Sequence, residues 1–281
     1  LRSSGARPCS ESGSRCGGGA SRAWKYMAGD ARAALALMRA AFRRNRLSAA
    51  GFWIWLVSVG LYQLLGLAFV WVASSRLSAG SEWLATYVYG VFQAATGLAY
   101  AFGAWTVFFA SRYVRRGELD ALLLLAPDPR MSLPFANFEP VELVGALSGY
   151  AIALIGLRAG ARLTVLNAAI TVAGIACGGA ATYSLFMAAA TLSLYTKQSS
   201  AAISFAMDLV LFGQYPMNLY PGAMRTLFTW ILPIVLIANA PARLVDAGPG
   251  LPAAVLAAAA VALAGANALF KHALGRFIRH W

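Results

Sequence analysis

A run of about twenty apolar residues with no charge constrains a chain more than any other feature, because in lipid a backbone can satisfy its own polar groups only as a helix or a closed barrel. GFWIWLVSVGLYQLLGLAFVWVA, residues 51–73, is such a run. At 1.5 Å per residue it is long enough to cross a hydrocarbon core about 30 Å thick. Further runs follow at 83–110, 141–157, 163–195, 199–214 and 252–270. The run at 163–195 is too long for a perpendicular crossing, so it must tilt, bend at Gly174, Gly178 or Gly179, or project beyond the bilayer. Only 12% of the 281 residues are charged, against roughly 25% in an ordinary soluble domain, and 60% are hydrophobic. The sequence therefore predicts an all-α integral membrane protein.

The stretch between 215 and 245 is different. Pro216, Pro221, Pro233 and Pro241 divide it, and its apolar part, 226–240, is short for a crossing. The cations decide how to read it. If it re-enters from outside, there are six spans, and eighteen Lys and Arg fall inside against five outside. A seventh span would send the basic end FKHALGRFIRHW outside, against the positive-inside rule. Six spans with both termini cytoplasmic is the expectation.

The net charge of +13 invites a nucleic-acid reading, but the cations lie in the gaps between apolar runs rather than on one soluble face, which suits anionic lipid headgroups. No nucleic-acid partner is expected. Residues 1–22 read as a disordered Gly/Ser/Arg-rich tail, with no apolar core and cleavage site of a secretory signal. In the segment 23–47, Trp24, Met27, Ala31, Leu35, Met38 and Phe42 recur at helical spacing with Lys25, Arg32, Arg39, Arg43 and Arg46 around them, which predicts an amphipathic helix in the membrane interface. The segment 271–281 reads as a basic cytoplasmic tail.

Motifs for chemistry are scarce. There is no phosphate-cradling G-x-x-x-x-G-K-[ST], no H-E-x-x-H, no C-x-x-C and no serine with a histidine partner in pattern. Cys9 and Cys16 stand far from His272 and His280, so no metal site is expected. An enzyme is not indicated, and any energy source lies in another chain. One carboxylate, Asp208, sits inside an apolar run, where function is the default hypothesis. A structural hydrogen bond to Gln214, Ser204 or another helix competes with substrate contact or a proton site. Gln63, Gln93, Asn167 and Asn267 read as helix–helix hydrogen-bonding residues. Gly145, Gly149, Gly174, Gly178 and Gly179 offer close helix approach.

Between the second and third spans lies SRYVRRGELDALLLLAPDPRMSLPFANFEP, residues 111–140, polar and punctuated by prolines yet carrying an aliphatic core. VRRGELDALLLLAPDP, together with the proline-broken YPMNLYPGAMRTLFTWILPIVLIANAPARLVDAG before the last span, resembles the transmembrane subunit of a type-2 ABC exporter, within a branch of bacterial permeases. The resemblance covers residues 24–278. It implies a half-channel in the bacterial inner membrane, completed by a second permease chain, identical or related, and driven by separate ABC ATPase subunits that hold ATP and Mg. This chain itself would carry no cofactor. On that reading Arg115 and Arg116 mark the cytoplasmic end of the second span and Gly117 permits the turn. A short coupling helix would follow, with Leu119, Leu122 and Leu123 entering a groove on the ATPase. Glu118 and Asp120 would set its orientation and Pro127 would end it. The rival reading from the residues alone is a proton-coupled carrier or membrane enzyme working through Asp208.

Overall fold

The computed structural model describes residues 35–36, 38–40, 49–77, 82–102, 104, 138–196, 199–231, 233–245 and 250–279. The tail at 1–22, most of 23–47, the end of the second span at 105–110 and nearly all of the coupling segment lie outside them. Five long helices and one shorter one carry the fold: α1 (Ala49–Leu77), α2 (Glu82–Ala101), α3 (Glu142–Ala159), α4 (Val165–Thr196), α5 (Ser199–Leu211) and, after a broken stretch, α8 (Gly250–Arg279). The broken stretch contains α6 (Gly222–Thr226) and α7 (Asn239–Arg243) among single turns. No strand occurs among the described residues.

Length and composition qualify four of these helices to cross a membrane, over Trp53–Arg76, Glu142–Ala159, Val165–Leu192 and Ala254–Ala273. α2 has the length but carries Thr86, Gln93 and Thr96, with tyrosines and glycines between them, because it is the helix the others cover. Fourteen of its twenty residues are buried, so its side chains answer to protein neighbours rather than to lipid. α1 is the opposite case. Only 11% of its spanning window is buried, and Ile54, Leu61, Leu65 and Phe69 stand exposed. A narrow stripe of Gln63, Val70 and Ser74, spaced by seven and four, faces inward.

α4 runs unbroken through its three glycines. At about 1.5 Å per residue its 32 residues span about 48 Å, so tilt or projection accommodates the excess length. The glycines serve close approach instead. A Cβ on Gly174 would stand 3.0 Å from the Pro241 ring, and one on Gly178 would overlap the Ile237 carbonyl and stand 2.9 Å from Ala95. α8 continues nine residues past the apolar run read from the sequence. Its end is amphipathic, with Phe270 and Ala273 buried while Lys271, His272 and Arg276 stay exposed, which lets one helix leave an apolar region without stopping.

Candidate functional site

Among the described elements, α2 and α3 form the tightest pairing. They run antiparallel, and the residues that meet are Trp83 with Gly160, Tyr87 with Gly156, Gly90 with Ala153, Ala94 with Gly149, and Gly97 with Ala146. The steps alternate four and three along each helix, which is the heptad spacing of a two-helix seam. A Cβ on Gly156 would stand 2.7 Å from the Tyr87 nitrogen, and one on Gly97 would stand 2.8 Å from the Ala146 nitrogen. Gly90 and Gly149 leave still less room, against the Ala153 and Ala94 backbones. Backbone, rather than a movable side chain, fills the space at these four positions. The pair therefore has little freedom to separate or slide.

Both ends of this seam are closed. At one end the turn after α3 bonds back through Ala161 N–H to Arg158 O and Arg162 N–H to Leu157 O, at 3.0 and 2.9 Å, with Ala161 in the left-handed conformation at φ 54°. The Arg162 guanidinium lies 4.7 Å above the Trp83 ring. At the other end Glu139 N–H donates to Ala101 O at 3.1 Å and the Phe102 and Phe138 rings pack 5.7 Å apart. Met38, in the described part of the N-terminal helical segment, packs with Ala101, Phe138 and Leu143 at that same end. The sequence-predicted docking residues, Arg115, Arg116, Gly117, Glu118, Leu119, Asp120, Leu122, Leu123 and Pro127, lie outside the described residues. The two chain ends that flank them, Phe102 and Phe138, are held side by side.

A buried polar chain ties α1 to this pair. Gln93 Nε2 donates to the Tyr89 hydroxyl at 2.7 Å, which donates to Gln63 O at 3.0 Å, while Gln63 Nε2 donates to Gly145 O at 3.2 Å. Gly66 makes room for the Tyr89 phenol. Gln63 thus acts as a helix–helix tie, whereas Gln93 bonds within α2 and supports the Tyr89 hydroxyl that reaches α1. Gly145 offers its carbonyl rather than close packing, since a Cβ there would have nothing nearer than 3.9 Å. Asn167 acts locally instead: its Nδ2 donates to Arg162 O at 2.8 Å and its N–H to Thr164 Oγ1 at 3.1 Å, capping the start of α4. The tie between α2 and α4 is Tyr87 with Thr171, 2.9 Å apart.

The stretch 212–245 is organised by a residue that sequence reasoning passed over. Asn239 is buried, accepts from Met217 N–H at 2.9 Å, and donates from Nδ2 to Tyr215 O at 3.0 Å and Gly213 O at 3.4 Å. One side chain thereby satisfies three backbone groups of a segment that has no regular partner. A lone Asn in the apolar IANAPARL was the available signal. Arg225 Nε donates to Met217 O and the Tyr220 hydroxyl to Phe212 O, at 3.2 and 2.8 Å. Phe212, Tyr220 and Phe228 form a triangle of rings with centroids 5.2 to 6.4 Å apart. Pro216 and Pro241 are buried, Pro221 is exposed at the start of α6, and Pro233 opens a single helical turn. This stretch packs far from the helix ends: Gly213 meets Phe92, and Ile237 meets Gly178. Beside it an apolar cavity of about 390 Å³ opens between α4 and α8, lined by Ala181, Ser184, Ile234, Ile237, Gly265 and Leu269.

Asp208 lies on the exposed side of α5, with Phe205 and Leu211 exposed near it, while Ala206, Leu209 and Val210 are buried against the rest of the protein. It makes no hydrogen bond or ion pair with another described residue. Among the described residues no three His, Cys, Asp or Glu side chains gather where a metal ion would sit.

No curated protein matches this chain, and no solved structure does. A family model described as "ABC-2 family transporter protein" matches residues 59–279, which takes in most of α1 and everything after it. With that match over most of its length, and with apolar helices of membrane-crossing length, the chain belongs to the ABC-2 transporter family and is a membrane-embedded permease.

Proposed function

We propose that the chain is the transmembrane subunit of an ATP-driven exporter, one half of a translocation path whose energy comes from a separate ABC ATPase. Two permease chains, identical or related, surround the path. ATP and Mg belong to the ATPase. The observation that carries this reading is the α2–α3 seam, close-packed along its length and pinned at the end that flanks the coupling segment. A force applied between Phe102 and Phe138 would act on a stiff pair rather than on two independent helices. Domain closure in the ATPase would then tilt the pair and its attached α1, the kind of rigid-body step on which alternating access relies.

In this reading the coupling helix around Leu119, Leu122 and Leu123 seats on the ATPase, with Arg115 and Arg116 at the headgroups. The chain crosses the bacterial inner membrane six times, with α2 and α5 completing the set, and both termini are cytoplasmic. The stretch 215–245 re-enters from outside. Its contacts with Phe92 and Gly178, well along α2 and α4, support that placement. The test is reconstitution. The purified chain alone should hydrolyse no ATP, and hydrolysis with cargo movement should require the partner ATPase; robust hydrolysis by the lone chain would overturn the proposal.

A further inference from the structure

Asp208 differs from the other described carboxylates. Glu82 and Glu142 lie in the first turn of a helix and Glu139 lies just before the start of α3. Asp208 lies nine residues into α5, about 13 Å from its start at 1.5 Å per residue. Its depth from the opposite side follows from Gly213, where a Cβ would touch the Phe92 ring at 3.4 Å. Phe92 is ten residues, about 15 Å, into α2 from Glu82, and Asp208 lies a further turn and a half along α5 beyond Gly213. With α5 crossing the membrane as in the six-span reading proposed above, the carboxylate falls inside a hydrocarbon core about 30 Å thick, viewed from either end.

At that depth a carboxylate directed at lipid is costly, so the outward face of α5 must meet water or a charge partner. A second copy of the chain is a poor source of that partner. Arg76, Arg158, Arg162 and Arg276 sit at or near helix ends, and Lys271 lies exposed on the amphipathic end of α8, eight residues before it stops. Arg225 is engaged with the Met217 and Tyr220 carbonyls, at 3.2 and 3.4 Å. Phe205, 60% exposed and three residues before Asp208, presents an aromatic ring on the same face. An anion beside an exposed ring, in apolar surroundings, is the chemistry that selects a lipophilic cation.

We propose that Asp208 and Phe205 form a recognition site on the translocation path for the cationic head of a lipophilic cargo. The proposal rests on the permease reading and adds the cargo class. The test uses the full chain with its ATPase in nanodiscs, with labelled tetraphenylphosphonium as probe and uncharged tetraphenylmethane as competitor. Wild type should bind the cation and ignore the competitor. Asp208→Asn should raise the half-saturating concentration at least tenfold, Asp208→Glu should keep it within about threefold, and Phe205→Ala should weaken binding severalfold. Equal binding by wild type and Asp208→Asn, or no binding by wild type, overturns the site. So does separation of the two permease copies on size exclusion in Asp208→Asn, which would assign the carboxylate to assembly, with Arg225 as its cross-copy partner. ATP hydrolysis by the wild-type complex reports on the permease reading separately, so the two can fail independently.

Discussion

Gly160 and Ala161 exchange the roles their types would suggest. The left-handed residue in the turn after α3 is Ala161, although that conformation costs an L-residue about 1–2 kcal/mol. Gly160 is needed one position earlier, because a Cβ there would stand 2.8 Å from the Trp83 ring. The polar RAGAR between two apolar runs marks a turn in the sequence, but which residue bears the strain depends on a tryptophan far back along the chain. Asn239 poses the same difficulty. Its type marks it as polar in an apolar fragment, while its three partners at 213–217 become visible only once the chain has folded back. Asn239→Ala should leave those groups unsatisfied and cost about 2–4 kcal/mol. A lowered unfolding midpoint in detergent is the expected result, with the 212–217 amides exchanging faster by mass spectrometry.

Among elements, the helices that face lipid were the easiest to read. α1, α3, α4 and α8 announce themselves by length and apolarity. Partner choice was harder. Gly90 and Gly97 repeat at seven residues, as do Gly149 and Gly156, yet Gly60 and Gly265 look no different in sequence, and a Cβ added at either would meet nothing within 4 Å. Spacing shows that a seam is possible; only the pairing of backbones shows which glycines use it. This distinction predicts a contrast. Gly149→Ala should overpack the seam against Ala94 and destabilise by about 1–3 kcal/mol, whereas Gly60→Ala should be neutral or slightly stabilising. Unfolding midpoints of the two variants, measured side by side, check it. Equal behaviour would mean the α2–α3 pair is looser than its contacts imply. Glycines of α4 teach the complementary lesson: they read both as candidate bend sites and as points of close approach, and they admit the Ile237 carbonyl and the Pro241 ring beside an unbroken helix.

At the scale of the molecule, the chain arranges a lipid-facing α1, a buried α2 stiffened by α3, and an α4–α8 pair that encloses the 234–237 turn. Membrane residence and family were legible from apolar runs and from two local patterns, because both are written in contiguous sequence. The polar seam Gln63–Tyr89–Gln93 was legible only as polar residues in apolar runs, because its hydrogen bonds join three helices. In the proposed exporter, energy transfer is the property of the whole: movement at the coupling segment must reach the path through α2 and α3 together. The most direct test is the ratio of cargo moved to ATP hydrolysed in a reconstituted complex carrying Leu122→Asp or Leu123→Asp. These variants should insert and assemble normally and retain hydrolysis, while the ratio falls at least tenfold, since a buried charge costs several kcal/mol at a docking surface. An unchanged ratio would contradict entry of the energy through this segment.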